Sequence, residues 1–192
     1  MSFLVLSEDG RYLLLFTFVF CYRFHHCCVR FRREVGPMLS FMKWLYLMAL
    51  IIWLGEVIFF SFVAAPSIFA TFPTPEAGRA VGAIFPTYYR IGYGCGIILL
   101  IGAIVLTGAA VERAWWAVNS VLAAVMLALT LYAGLIIQPR AAALAPQIHT
   151  PTATAAVQDE FSRLHRLAVV LNGVVLVCGL AVSAITASCV RP

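Results

Sequence analysis

Four stretches of the sequence, 43–66, 88–110, 114–138 and 164–187, are each long and apolar enough to cross a bilayer. About 20 residues of helix span the hydrocarbon core. Lipid offers no partner to an open backbone group, so each stretch has to be helical. Four such helices with short connections leave no room for a separate soluble domain. The expected fold is all-α, an integral membrane four-helix bundle. Composition agrees: 63% of the 192 residues are hydrophobic and 11% are charged, against about a half and a quarter in soluble domains.

The formal charge of +5 carries no nucleic-acid signal. Basic residues flank the spans as interface anchors instead of forming a stripe, and no recognition motif accompanies them. The partner that composition does predict is the lipid bilayer, with the chain in the cell membrane (the inner membrane if the source is bacterial).

Glu56 lies inside the first span. A carboxylate at that depth is costly, and such residues are paired, turned to a bundle interior or functional. Glu56 is ten residues from Pro66 and Asn172 nine from Arg163, where spans one and four meet the same membrane face. At ~1.5 Å per residue both sit roughly 15 Å deep, which predicts a Glu56–Asn172 contact if helices one and four are neighbours. His165 precedes Asn172 by seven residues and shares its helix face. Tyr88, Tyr89, Arg90, Gln138, His165 and Arg166 lie nearer that membrane face, as a polar vestibule leading to Asn172 and Glu56. The competing structural reading makes Glu56 a protonated or paired link between helices, with Arg90 and Arg166 extending to the interface.

Between spans one and two, Thr74-Pro75-Glu76 has the form of a helix start: a Thr cap, Pro at the first position and an acid in the first turn. Ala77, Ala80, Val81, Ile84 and Phe85 follow at helical spacing, and Pro86 ends the run. These predict a short amphipathic helix at the membrane surface. Span two carries Gly92 and Gly96 in the spacing that permits close helix packing, within the bundle or between copies in a homo-oligomer. Thr150-Pro151 resembles a second capped start, from which a helix would run into span four and project beyond the membrane.

Residues 1–37 differ in character. An apolar run from Tyr12 to Tyr22, too short to span, precedes a tract with Cys21, His25, His26, Cys27 and Cys28. Adjacent cysteines and adjacent histidines seldom reach one metal ion together. The simplest account is a start assigned too early, with Met38 or Met42 the true first residue. The domain reading is therefore a doubtful extension over 1–37 and a four-helix transmembrane domain over 38–192. Orientation depends on that start, because the arginines of the extension reverse the balance of positive charge.

Trp53-Leu54-Gly55, Phe59-Phe60, Ala65-Pro66 and Phe69 are followed in order by Ala77-Gly78-Arg79, Gly82 and Phe85-Pro86-Thr87-Tyr88-Tyr89. Gln138-Pro139, Phe161, Leu164-His165 and Asn172 complete the set. From about Met42 to Ser188 the chain resembles the transmembrane protein 205-like family. That resemblance implies a small four-helix membrane protein of unknown biochemical activity and supplies no catalytic residues. Eukaryotic members are associated with tolerance to platinum drugs, which points toward metal handling or trafficking.

No phosphate-binding loop, HExxH, paired-cysteine motif or nucleophile elbow is present, so the reading is non-enzymatic. The first expectation is a multi-pass protein that binds or moves a small solute or metal ion through a polar site around Glu56. A second is a haem- or redox-associated protein with His165 as ligand. A third is a structural or assembly partner using the glycine face of span two. Any cofactor or metal is left unknown.

Overall fold

The computed structural model describes residues 37–109, 113–148 and 154–189. The tract from Cys21 to Cys28, His149 and Thr150-Pro151 lie outside the described residues. Residues 42–192 form one compact unit. Every regular element described is helical: α1 Pro37–Phe59, α2 Ala65–Thr71, α3 Thr74–Ala109, α4 Arg113–Tyr132, α5 Gln138–Leu144 and α6 Ala155–Cys189. Single π-helical turns, Phe60–Ala64 and Ala133–Ile137, join α1 to α2 and α4 to α5. Four rods result, each long and apolar enough to cross a membrane, and the protein is a multi-pass four-helix membrane bundle.

The buried positions explain why the four rods associate. On α4 and the π turn after it they are Trp116, Asn119, Ala123, Met126, Thr130, Ala133 and Ile137, an unbroken alternation of three- and four-residue steps. Tyr46, Leu50, Trp53 and Val57 on α1 keep the same steps, as do Tyr88, Gly92, Cys95 and Leu99 on α3. A seam of this period keeps one face of a helix toward its neighbours along its whole length, as in left-handed bundles. Outside the seams, Ile52, Phe59, Phe62, Ile101, Ile104, Val121, Val170 and Val177 are exposed, as a lipid-facing surface requires.

Contacts fix the register. Tyr46 meets Thr186, Leu54 meets Gly179 and Ser61 meets Asn172, a nearly constant antiparallel offset between α1 and α6. Asn119 with Thr186 and Met126 with Gly179 set α4 against α6 in the same way. Trp53 packs on Gly92 and Gly96, and Tyr46 on Gly102, which seats α1 on α3. The order is up-down-up-down, with each rod beside its chain neighbours and the first beside the last.

Both π turns have one local cause. Pro66 and Pro139 stand just beyond them, and a proline ring collides with the carbonyl four residues back. Those carbonyls belong to Phe62 and Leu135, inside the widened turns. Opening the turn moves them aside, and the chain recovers bonding with i→i−5 contacts: the Ala65 N–H donates to the Phe60 carbonyl and the Gln138 N–H to the Ala133 carbonyl.

Pro86 behaves differently from expectation. It does not end a helix: α3 runs unbroken from Thr74 to Ala109 with Pro86 inside it. The short amphipathic helix is therefore not a separate element but the first three turns of α3. Proline removes one backbone bond without unwinding the rod, and membrane helices tolerate it well. At ~1.5 Å per residue, the 36 residues of α3 far exceed a ~30 Å hydrocarbon core, so its first turns project past it. The N-terminus is closed by the Pro73 carbonyl, which accepts from the Glu76 and Ala77 N–H groups at 2.9 Å each. Thr74 is the first helical residue instead of the cap.

Candidate functional site

The polar residues collect toward the end of the bundle marked by Pro66 and Pro139. Tyr88, on the seam of α3, donates its hydroxyl to Asn172 Oδ1 at 2.7 Å, and Asn172 Nδ2 donates to Ser61 Oγ at 3.1 Å. Three rods are tied by two bonds, and Ser61 reaches inward from within the first π turn. An aromatic wall backs this chain. Phe60 packs on Tyr88 at 5.1 Å, Tyr88 on Tyr89 at 5.3 Å, and Phe85 stacks on Tyr89 at 5.9 Å. Gly134, in the second π turn, lies directly under Tyr93 Oη and the Tyr89 ring, so only a residue without a side chain lets the wall close there.

Glu56 is half-buried on α1, and its Oε2 is buried with no hydrogen-bond partner. Its electrostatic neighbours are the Tyr88 hydroxyl and the Cys95 thiol on α3. Trp53, Tyr88, Tyr89, Thr130 and Asn172 surround a space of about 10 Å³, room for roughly one water molecule. Chemically this is a narrow, aromatic-walled and largely apolar niche, with Tyr88, Tyr89, Thr130 and Asn172 as the residues that bring hydroxyl and amide groups to it.

The register brings some of the expected residues together and separates others. Asn172 faces Ser61, so Glu56 lies five residues, roughly 7.5 Å, further along α1, and Tyr88 stands where a direct Glu56–Asn172 bond was expected. Tyr89 lines the niche, and Gln138 is half-buried at the start of α5. Arg90 is exposed and donates Nε to the Pro86 carbonyl at 3.0 Å. His165 is exposed and stacked on Phe161 at 6.4 Å. Although it shares a helix with Asn172, three-and-four spacing places Leu164, not His165, on the inner seam. Arg90 and His165 are therefore outside the niche. Among the described residues no three His, Cys, Asp or Glu side chains gather closely enough to hold a metal ion.

Gly92 and Gly96 are buried inside the bundle. A Cβ on Gly96 would come 2.8 Å from Leu127 Cδ1 and 3.0 Å from the Trp53 ring. The glycine face is thus occupied within one chain, the first of the two packings that its spacing allows.

A second polar cluster escaped sequence reasoning. Near the other end of the bundle, Asn119 Nδ2 donates to Thr186 Oγ1 at 3.2 Å, and Thr186 donates to the Val182 carbonyl at 2.7 Å. Tyr46 Oη lies 3.4 Å from Thr186 Oγ1 and its ring meets Trp116 edge-on. Asn119 Oδ1 is buried without a partner. The available signal was periodic: Asn119 and Thr186 occupy seam positions in their own helices.

Residues 48–150, 103 of the 192, match the profile of a domain of unknown function, DUF4149, and the chain belongs to that family. The match takes in Glu56, Tyr88, Tyr89 and both π turns and ends before Asn172. No curated protein and no solved structure matches the chain.

Proposed function

We propose that this DUF4149 protein binds or moves a small solute or ion at the polar niche around Glu56, with Tyr88, Asn172 and Ser61 as its other contacts. One observation carries the reading: a carboxyl oxygen buried in a membrane span without a partner, five residues along the rod from the Ser61 that Asn172 bonds. An isolated charge there costs several kcal/mol, a penalty that the neutral amide oxygen left unpartnered at Asn119 does not carry. Oxygen contacts favour a hard ligand over a soft one. The likeness to transmembrane protein 205-like proteins supplies the metal-ion form of the proposal, and the oxygen set restricts it to hard cations.

The haem reading loses its support because His165 is exposed and stacked on Phe161. The test is flux across vesicles containing the full chain, with dyes for protons, sodium, potassium and divalent cations. Wild-type protein should dissipate one of these gradients several-fold faster than the Glu56→Gln variant. Equal rates for wild type, variant and protein-free vesicles would refute the proposal.

A further inference from the structure

We infer that the bundle is two equivalent hairpins fused about a pseudo-two-fold axis along the membrane normal, and that Glu56, Ser61 and Asn172 are contacts for a small cation acquired on one side of that axis only. The ligand assignment rests on the binding-or-movement reading above. Each half of the chain runs as a rod, a π turn, a seven-residue helix with Pro as its second residue, and a second long rod. A shift of 73 residues carries α1 onto α4: the turn Phe60–Ala64 falls on Ala133–Ile137, Pro66 on Pro139 and α2 on α5. Tyr46, Leu50, Trp53 and Val57 fall on Asn119, Ala123, Met126 and Thr130, and all eight are buried. A shift of 83 residues carries α3 onto α6. Gly92, Leu99 and Ala103 fall on Val175, Val182 and Thr186, again all buried, and Cys95-Gly96 falls on Cys178-Gly179.

Contacts obey the same exchange. Gly96 packs against Trp53 and Leu127, and Gly179 against Met126 and Leu54. Interchanging the halves turns one set into the other, which is the reciprocity of a two-fold interface. α1 and α4 run in the same direction, so the axis lies along the membrane normal, as it does between parallel repeats.

Each half therefore shows what folding requires at the equivalent position of the other. Leu129 stands where α1 has Glu56, and Gly134 where α1 has Ser61. Tyr89 stands where α6 has Asn172, and it packs on Gly134 just as Asn172 bonds Ser61. The α4 and α3 side thus closes with a leucine, a glycine and an aromatic ring. The carboxyl, hydroxyl and amide at the same three positions of α1 and α6 exceed that requirement. They differ as a set, and each brings an oxygen, the donor that a small hard cation takes. Glu56 and Ser61 are five residues apart on α1, roughly 7.5 Å, so a cation meets them in succession and not around one centre.

Two measurements on the full chain in lipid vesicles test this. Spin-label distances probe the axis: Phe59→Cys with Leu180→Cys, and Tyr132→Cys with Ile97→Cys, are equivalent pairs of exposed positions. With the native cysteines replaced by alanine, both pairs should give the same distance, and clearly different distances would overturn the duplication. Glu56→Leu and Ser61→Gly, which copy the other half, probe the acquired set. Each should keep wild-type stability by steric trapping and lower cation flux several-fold. A rise of about tenfold or more in the unfolding constant of Glu56→Leu would make the acid glue and overturn the assignment, while flux in wild type left the earlier reading standing. Undiminished flux in a stable Ser61→Gly would overturn the set as well. Wild-type vesicles without flux of any cation would sink the earlier reading, and the assigned ligand with it, even where the paired distances agree.

Discussion

The two polar clusters occupy opposite ends of one bundle and differ in what they can change. At the Tyr46 end, Asn119 is fully buried and Thr186 nearly so, and their bonds terminate on the Val182 carbonyl. None of these side chains ionises in water near neutrality. At the Pro66 end, the bonds join three rods, pass through a π turn and stand beside a group that can gain or lose a proton. Each cluster leaves one oxygen unpartnered, Asn119 Oδ1 and Glu56 Oε2. A neutral amide in that position costs about one bond's worth of stability and pins the register of α1, α4 and α6. A carboxyl group in the same predicament has a chemical way out. The lesson is that the number of buried unsatisfied atoms does not distinguish glue from site, whereas the chemistry of the unsatisfied atom does.

Trp53 separates the clusters, and its loss should have the largest effect on the comparison. Trp53→Ala empties the contacts with Gly92 and Gly96 and should destabilise the bundle by about 3–5 kcal/mol, the usual range for a buried Trp, as measured by steric trapping in bicelles. Retention of wild-type stability would mean that the two ends do not share a core. Thr186→Val comes next. It strands Asn119 Nδ2 and should cost about 1–3 kcal/mol with no change in gradient dissipation. A loss of flux there would join the clusters into one path and break the distinction drawn above.

Gly134→Ala sharpens the other side of the comparison. Its methyl would collide with the Tyr89 ring and Tyr93 Oη, so about 1–3 kcal/mol of overpacking is expected, with a changed near-UV tyrosine dichroism. An unaltered spectrum would show that the aromatic wall can yield. Tyr88→Phe is the mildest, about 0.6–1.7 kcal/mol for an interhelical hydrogen bond in a membrane, again by steric trapping. Its effect on flux should exceed its effect on folding, and the opposite ordering would return Tyr88 to a structural role.

Much of the fold was legible because the bilayer dictates it. Span length, helical state and the number of crossings follow from runs of apolar residues, and the three-and-four seams follow from the same text. Glu56 announced itself by being ionisable among residues that are not. The depth argument placed Asn172 beside it and missed by more than a helical turn. Counting residues from Pro66 and Arg163 assumes that both mark the same plane, and α6 continues past the membrane, so Arg163 does not. Tyr88 was visible as an aromatic anchor at the start of span two, but its bond to Asn172 depends on the register between distant rods, which no single helix encodes. Pro86 misled for a different reason. A proline costs a helix one backbone bond and a steric contact, and α3 carries Pro86 without a break, so a proline alone does not set a helix end.

A π turn is an α-helical turn holding one additional residue, and an additional residue rotates everything beyond it by about 100° about the helix axis at 3.6 residues per turn. The turn at Phe60–Ala64 therefore acts as an insertion that aims Ser61 inward and resets the phase of the helix leading to Pro66. Its evolutionary trace would be a difference of one residue in length with no change in hydropathy. Relatives with a single-residue gap between positions 60 and 64, or between 133 and 137, would keep four spans while turning their polar side chains out of the niche.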